Sequence, residues 1–523
     1  MKHLFFLLTL LLCLPLAAQQ TYHAQAFSGR TFSDSSFIYK EIRWEGVQRV
    51  LIVGYQTPDF AKGNQPLHIP SSVTHEGKNY NVWCIASEAF RNLYTAESIV
   101  VEDGIERILD HAFEDCTGLK SISIPASVQW VGEGLFSGCH QLEKVIVDSK
   151  NRWLDSRDDS NAIIYSDEDK LLAACPATRI PTSVKIIGNE AFSGCYMLEQ
   201  IDIPEGVESI ENSAFEGCSG LRRLSLPESL RKIGWEAFSG CSSLRSIFIP
   251  KNVEQIANVN IFSGCTTLSS IVVDDRNTFY DSREHCNGIV RKADSMLVAT
   301  CRATTMPESL KGLYGECFYG TNMHSIRIPK SLENLSGNSF FGCKEIDTIF
   351  VAEGNPAFIS PEGSNAILTK DGKTLVVGCR TTEIPSCVEK IGELAFYGRY
   401  EKPVLCFPKN IKRVSESSFE NCNGLYKVVI PPSVTKLDGE VFYNCHNLMN
   451  VQIQARVPEI PRSAFENCYR LKVVTIADGT KAIGQKAFAG CTRLTHISLP
   501  QSIEKIGEDA FMDCPYAKNL KEK

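Results

Sequence analysis

The chain has 523 residues, of which 43% are hydrophobic, and its 54 basic and 61 acidic side chains give a net charge of −7. This is the balance of an ordinary globular protein, and the excess of acid gives no electrostatic reason to expect nucleic acid or an anionic membrane surface as the main partner. The length alone would indicate about three or four domains, but a repeat array can grow without starting a new core.

Residues 1–18 have the layout of a signal peptide. Lys2 is followed by an apolar run from Leu4 to Leu14, and Ala17 and Ala18 precede a polar stretch. The run is too short to cross a bilayer as a helix, so we expect export with cleavage near Ala18 and no membrane insertion afterwards. Lipid attachment at Cys13 is an alternative, although leucines stand where that processing requires small residues.

Residues 19–66 lack the repeat that fills the rest of the chain. They contain short alternating runs, such as Phe37–Ile42 and Val50–Val53, separated by Gly and Pro. These runs predict strands and hairpins. We interpret the segment as a β-rich N-terminal cap that covers the open end of the array, with an independent binding module as the alternative.

Residues 67–514 repeat one motif with a period of 23 residues. Its frame is Ala/Ser/Val-Phe-x-x-Cys-x-x-Leu-x-x-Ile/Val-x-Ile, often Pro, then Val/Ile-x-x-Ile/Leu-Gly, and it is most regular between Phe419 and Cys514. A self-similar period of about 20 to 50 residues is typical of a solenoid, whose units bury their apolar faces only by stacking. The Ile-Pro positions from Pro70 to Pro500 indicate about 18 rungs.

Three intervals of 56 residues interrupt this period, and each consists of one standard unit and one lengthened unit of 33 residues. They run from Cys139 to Cys195, from Cys265 to Thr321 and from Cys343 to Arg399. Each lengthened unit contains two apolar runs joined by polar residues, which predicts a β-hairpin. The paired runs are Ala162–Ile164 with Leu171–Cys175, Gly288–Val290 with Leu297–Cys301, and Ala366–Leu368 with Leu375–Cys379.

The alternation in Leu-x-x-Ile-x-Ile predicts a strand with one face buried. Stacked in register, these strands would form one long parallel β-sheet, and the Pro that follows would end each strand. The next segment, through Gly-x-x-Ala-Phe, would cover the opposite side as a short extended piece and a turn of helix ending near Cys, with Phe in the core.

The frame resembles the BspA-like, or treponemal-type, leucine-rich repeat, as in Ile203–Leu221 and Leu499–Cys514. The resemblance covers Leu67 to Cys514 and implies a right-handed leucine-rich-repeat arc. It also implies a bacterial exported or cell-surface protein, and some members of the family are adhesins for host matrix proteins or for other cells. The family motif has no fixed ligand-binding residues, so it assigns none here. Residues 515–523 form a charged C-terminal tail.

Twenty cysteines follow the signal peptide, and 12 of them occupy one repeat position. Equivalent side chains in stacked rungs point the same way about 5 Å apart, whereas a disulfide requires Cβ atoms about 3.8 Å apart. We therefore predict a ladder of buried free thiols, with a bridge or two left open among Cys84, Cys286, Cys317, Cys387 and Cys406. No metal site is predicted, because Cys-x-x-Cys is absent and the histidines do not cluster with cysteines.

No sequence motif for catalysis or for a cofactor is present, so we expect a non-enzymatic protein. The acidic run Asp155–Asp159 and its counterpart at Asp281–Glu284 raise the alternative of a calcium loop, but we favour solvated loop charge. In the third lengthened unit, Ser360 replaces the leading acid.

Residues between the inward positions of each strand should face solvent, and these positions are where recognition is expected. The candidate partner-binding face comprises Ile146, Phe248, Val272, Arg327, Phe350 and Val429. Exposed aromatic residues on a long sheet are typical of a protein-binding surface, although β-branched and aromatic residues also simply suit strands.

The sequence thus predicts a monomeric, exported binding scaffold for a protein or cell-surface ligand, secreted, periplasmic or attached at the cell surface. Recognition would use the sheet face or the edge of a hairpin. The alternative is a structural or envelope spacer without a dedicated ligand, for which the outward strand positions would be uniformly small and polar.

Overall fold

A computed structural model describes residues 29–44, 47–57, 65–257, 260–321 and 323–517. They form a β-solenoid of about 18 turns with almost no helix, which confirms the predicted fold class. The chain divides into two compact units, Met1–Leu244 and Arg245–Lys523. The predicted signal peptide and residues 518–523 of the predicted tail lie outside the described residues. Among the described residues, no helix has the length and apolar character needed to cross a bilayer.

The front strands of the first unit carry the Ile-x-Ile motif, and their alternating residues are buried in the core. They form a parallel four-stranded ladder followed by a parallel pair. The four strands are Leu67–Ile69, Ser98–Val101, Ser121–Ile124 and Lys144–Val147, and the pair is Gln200–Asp202 with Arg223–Ser225.

The back strands of the first unit are two residues long, and each ends on a buried Ile or Val, which Gly follows in three of the five. They are Arg107–Ile108, Trp130–Val131, Ile186–Ile187, Ser209–Ile210 and Lys232–Ile233. Neighbouring back strands pair in parallel, as Arg107–Ile108 does with Trp130–Val131.

Antiparallel strands precede the back strands in the N-terminal segment. They are Thr31–Ser33, Phe37–Trp44, Val47–Tyr55, Ser72–His75 and Lys78–Ile85. The strand Val47–Tyr55 pairs in parallel with Lys78–Ile85, which in turn pairs with the first back strand at Arg107–Ile108. The N-terminal strands therefore extend the back ladder by ordinary strand pairing and cover its first edge.

The second unit has the same two rows of strands. Its front strands are Ser246–Ile249, Ser270–Val273, Ser325–Ile328, Thr348–Val351, Val404–Leu405, Lys427–Ile430, Asn450–Ile453, Val473–Ile476 and His496–Ser498. Its back strands are Gln255–Ile256, Gly312–Leu313, Lys390–Ile391, Arg413–Val414, Lys436–Leu437, Glu459–Ile460, Ala482–Ile483 and Lys505–Ile506.

Each lengthened repeat consists of three short strands paired antiparallel in sequence. The third of these strands pairs in parallel with the next back strand, as Leu171 does with Ile187. The strands are Leu154–Asp155, Ala162–Tyr165 and Lys170–Ala174; Tyr280–Asp281, Gly288–Arg291 and Met296–Thr300; and Phe358–Ile359, Ala366–Thr369 and Thr374–Gly378.

The front strands do not form the one continuous sheet that the sequence predicts. In the second unit they form ladders of two, two and five strands, with a break at each lengthened repeat. A local turn stands at the break in the first unit: the backbone N–H of Cys175 donates to Thr178 Oγ1 at 2.9 Å, and that hydroxyl donates to the carbonyl of Asn161 at 2.7 Å. Thr304 and Thr382 make the same pair of bonds in the other two lengthened repeats.

The segment that carries Ala-Phe-x-x-Cys, which we name the turn layer, is not the predicted turn of helix. In most repeats two residues there adopt left-handed φ angles, as at Glu88 (φ 58°) and Asn92 (φ 64°), which a right-handed helix excludes. The backbone N–H groups of the turn layer alternate between the next repeat and the same segment: that of Phe90 donates to the carbonyl of Ala112 at 2.8 Å, and that of Arg91 donates to the carbonyl of Glu88 at 3.0 Å. Short 3₁₀ helices occur in two lengthened repeats, at Arg157–Asp159 and Arg283–His285, and in one turn layer, at Gly337–Phe340.

The turn-layer phenylalanines stack through the core. One run of rings extends from Phe396 to Phe511, with neighbouring centroids 4.9–5.5 Å apart. Lengthened repeats contribute no such ring, so the turn layers on either side of them contact each other directly. Asn189 Nδ2 donates to Glu133 Oε1 at 2.8 Å, and the rings of Phe341 and Tyr397 lie 4.0 Å apart, although both pairs are 56 residues apart in sequence.

Arg399 fills the gap that the third lengthened repeat leaves in the core. It occupies the usual cysteine position and is fully buried. Its guanidinium donates to four backbone carbonyls, those of Phe340, Gly378, Leu394 and Ala395, and burial lowers its pKa. The long side chain therefore reaches across the extra rung to a carbonyl that a cysteine could not reach.

Candidate functional site

The outward positions of the front strands are the predicted recognition face, and the strand geometry determines their exposure. The burial pattern alternates along each four-residue strand, so that the second and fourth residues enter the core and the first and third face out. Among the six predicted residues, Ile146, Phe248, Val272, Arg327 and Phe350 are exposed, whereas Val429 is half-buried.

Phe248 and Val272 form one exposed apolar pair in the second unit. They lie opposite each other on adjacent parallel strands and are 47% and 45% exposed. Flanking outward positions Ser246 and Ser270 are small and polar. The two side chains therefore project as one apolar step above a polar surface.

Arg327 and Phe350 form a second exposed pair in the same unit. They also lie opposite each other on adjacent strands, and the Arg327 guanidinium carbon lies 5.7 Å from the centre of the Phe350 ring. Arg327 also approaches the Glu308 carboxylate at 3.4 Å. Phe350 is 52% exposed, so one side of its ring contacts a cation while much of its surface faces solvent.

Ile146 and Val429 are not part of these pairs. Ile146 lies in the first unit, opposite Ser123 on the adjacent strand. Val429 begins a row that continues through Gln452, Thr475 and Ser498, and these partners are polar. The structure thus brings four of the six predicted residues together in two pairs and leaves the other two isolated.

The repeat cysteines are free thiols, as the sequence predicts. All 20 cysteines among the described residues are unbridged, and only Cys387 and Cys406 are exposed. In at least ten repeats, the thiol donates to the carbonyl of the phenylalanine in the preceding repeat at 2.8–3.3 Å. Cysteine therefore serves as a small core residue that also links consecutive turn layers.

A family model described as the BspA type leucine rich repeat region matches residues 83–157, 173–287, 298–360 and 389–518. The chain belongs to this family. No curated protein matches it significantly.

Several solved structures resemble this BspA-type protein. A leucine rich cell surface protein from Faecalibacterium prausnitzii is 22% identical, with 94% of each chain covered and a TM-score of 0.38. A leucine-rich repeat protein from Bacteroides ovatus is 20% identical over 93% of this chain and 92% of its own, with a TM-score of 0.30. The pneumococcal vaccine antigen PcpA is 16% identical over 95% and 96%, with a TM-score of 0.23.

The lengthened units of this BspA-type chain share a buried asparagine clamp that the sequence analysis missed. Asn277 Nδ2 donates to the carbonyls of Pro250 and Val253, both at 2.9 Å, and its Oδ1 accepts from the N–H groups of Phe279 and Tyr280. Asn151 and Asn355 make the same four bonds in the other two lengthened repeats. Each clamp precedes the second asparagine of its unit by ten residues, a spacing that was present in the sequence.

The acidic loops of the first two lengthened repeats are internally paired. Arg157 contacts Asp155 at 2.6 Å and Asp169 at 2.8 Å, and Arg283 contacts Asp281 at 2.8 Å. Although burial opposes it, hydrogen bonds from Arg157 and Ser166 lower the pKa of Asp155. Among the described residues, no group of three or more His, Cys, Asp or Glu is placed to hold a metal ion.

Proposed function

We propose that this BspA-type protein is an exported, non-enzymatic scaffold that recognises a protein partner at a cell surface or in a matrix. The observation that carries the proposal is the pair of exposed steps, Phe248 with Val272 and Arg327 with Phe350, on the front face of the second unit.

Two features support binding through these residues. Each step stands on hydrogen-bonded strands, so the side chains lose little conformational entropy when a partner orders them. Aromatic and arginine side chains also provide most of the binding energy at protein interfaces, and the polar residues around each step resemble an interface rim.

The spacer alternative is supported by a different stretch of the front face. The ladder that begins at Val404 presents Gln452, Thr475 and Ser498 outwards, which is the small and polar surface expected of a protein without a ligand. We therefore place recognition on the two exposed steps and not on this ladder.

A pull-down from extracellular-matrix extract tests the proposal. We expect Phe248→Asp and Phe350→Asp each to weaken capture of a retained partner by at least about 30-fold, because loss of an aromatic anchor typically costs 2 kcal/mol or more. Thr475→Asp, at the same strand position on the polar ladder, is the matched control and should capture normally. Equal capture by all three variants would refute recognition through the exposed steps and favour the spacer.

A further inference from the structure

The back strands of the second unit carry a polar cavity that is separate from the front face. Its volume is about 360 Å³, and it is lined by Lys390, Glu393, Arg413, Ser415, Glu416, Asp438, Gly439 and Arg462. The lining contains three cations and three carboxylates, so the site is close to neutral although it is strongly polar. Its volume lies within the range of small-molecule sites, but its lining lacks the apolar surface that most of them have.

The charged walls of the cavity are preorganised by ion pairs. Arg413 binds Asp438 at 2.6 Å, and Lys436 approaches the same carboxylate at 3.2 Å. Arg462 donates to Glu440 at 2.9 Å and to Glu416 at 2.5 Å. These pairs hold the guanidinium groups and carboxylates in place before any ligand arrives.

Three polar groups of the cavity have no partner among the described residues. Lys390, Arg413 and Lys436 follow one another on adjacent strands of the parallel back ladder. The carboxylate of Asp438 pairs with Arg413 and Lys436, and Lys390 is left without an ion pair in the described part of the chain. Glu393, which is exposed, has no ion pair within the described ranges. Ser415 is 4% exposed, and its buried hydroxyl has no hydrogen-bond partner. The hydroxyl oxygen of Ser415 is closed to solvent, so Lys390 and Glu393 are the unpaired groups that a ligand in the cavity could reach.

Gly439 opens the cavity by lacking a side chain. Its backbone is not left-handed, so no turn geometry requires glycine there. A Cβ at this position would lie 3.2 Å from Cγ of Arg462. The repeat frame usually has glycine directly after the back-strand Ile or Leu. Asp438 takes that position next to Gly439, and Ser415 takes it one repeat earlier. Three departures from the repeat frame therefore meet at one site.

We propose that this cavity binds a carboxylated monosaccharide, such as a hexuronate residue of a glycan. The sugar carboxylate would pair with the uncompensated Lys390, and sugar hydroxyl groups would donate to the Glu393 carboxylate. A phosphate carries more negative charge than a uronate, so the three carboxylates in the lining oppose its binding more strongly. A typical free amino acid would bring an apolar side chain, for which the cavity offers no surface.

Calorimetric titration of the full chain with the methyl glycosides of glucuronic and galacturonic acid tests this inference. We expect saturable binding of at least one of them, at least about tenfold tighter than binding of methyl glucoside, because a charged hydrogen bond is worth about that factor. Lys390→Gln should remove the preference, and Gly439→Leu should abolish binding by filling the cavity. Lys505→Gln is the matched control and should bind normally. Lys505 occupies the equivalent back-strand position three repeats after Lys436, which is the neighbour of Arg413 in the back ladder.

Three results would each overturn the assignment. Methyl glucoside could bind as tightly as the uronides, inorganic phosphate or alanine could bind more tightly, or neither uronide could bind at millimolar concentration. Circular dichroism of each variant checks that it folds. Phe248→Asp and Phe350→Asp should leave uronide affinity unchanged, so failure of this inference is distinguishable from failure of the proposed function.

Discussion

Replacing Arg399 with cysteine would restore the usual repeat residue, and we expect this change to destabilise the protein. Cys195 holds the same position after the first lengthened repeat, so repeat statistics alone would favour the replacement. In the structure, however, the Arg399 guanidinium spans the extra rung and donates to the carbonyls of Phe340, Gly378, Leu394 and Ala395.

The expected magnitude follows from two opposing effects. Hydrogen bonds from a charged donor contribute about 1.5–3 kcal/mol each, and burying a cation without a carboxylate costs several kcal/mol. These effects largely cancel, so the cavity left by the smaller side chain decides the sign. Large-to-small substitutions in a core cost about 2–5 kcal/mol, and we expect Arg399→Cys to lower the free energy of unfolding by about 3–5 kcal/mol.

Arg399→Met separates packing from hydrogen bonding, because methionine fills much of the volume and supplies no donor. We expect it to cost less than Arg399→Cys, about 1–2 kcal/mol. The assay is equilibrium urea unfolding combined with hydrogen exchange of the amides near Phe340 and Ala395, since a repeat array can unfold in parts. A cysteine variant as stable as the native protein would refute the gap-filling role of Arg399.

Three further predictions concern the lengthened repeats and the thiols. Asn277→Asp should lower the free energy of unfolding by about 2–4 kcal/mol, because a carboxylate cannot donate to the carbonyls of Pro250 and Val253; Asn410→Asp, at an exposed site, is the control, and equal urea midpoints would contradict the clamp. Burial raises the pKa of Cys286 to about 11 and that of Cys422 to about 12. The thiols of the unfolded chain lose their protons at lower pH than the buried thiols, so the free energy of unfolding should be highest below about pH 8.5 and fall as the pH rises towards these values. Cys445→Ala should reduce the slope of the urea midpoint against pH. A urea midpoint that does not change with pH would contradict burial of the thiols. Millimolar calcium should leave the melting temperature unchanged, since Arg157 and Arg283 already pair with the loop carboxylates; a rise that is lost in Asp155→Asn would restore the calcium-loop interpretation.

The repeat frame predicted the features that recur in every rung. Apolar alternation located the front strands, and the parallel direction of equivalent side chains correctly excluded disulfides along the cysteine ladder. These features follow from local pattern, because each repeat meets its neighbours in the same way.

The features that the sequence analysis missed arise where unlike segments meet. The Asn277 clamp depends on contacts between a lengthened unit and the standard repeat before it, and the Thr304 turn depends on contacts within the lengthened unit, so both are absent from the repeat frame. Arg399 reaches a backbone carbonyl beyond the lengthened repeat, and the opening at Gly439 faces the Arg462 side chain of the next repeat. The predicted turn of helix failed because every second N–H of the segment bonds to the next repeat, which interrupts the consecutive bonds that a helix requires.

The direct contact of turn layers across each lengthened repeat makes that repeat comparable to an edge dislocation, an extra half-plane of atoms inserted into one side of a crystal lattice. The turn layer is the side that the insertion does not interrupt: Asn189 contacts Glu133 there, and Tyr397 contacts Phe341. Excising the inserted 33 residues would therefore leave the turn layer already joined and require healing only of the front and back ladders. An array built this way can gain or lose such a repeat in evolution while the turn layers on either side of it stay in contact.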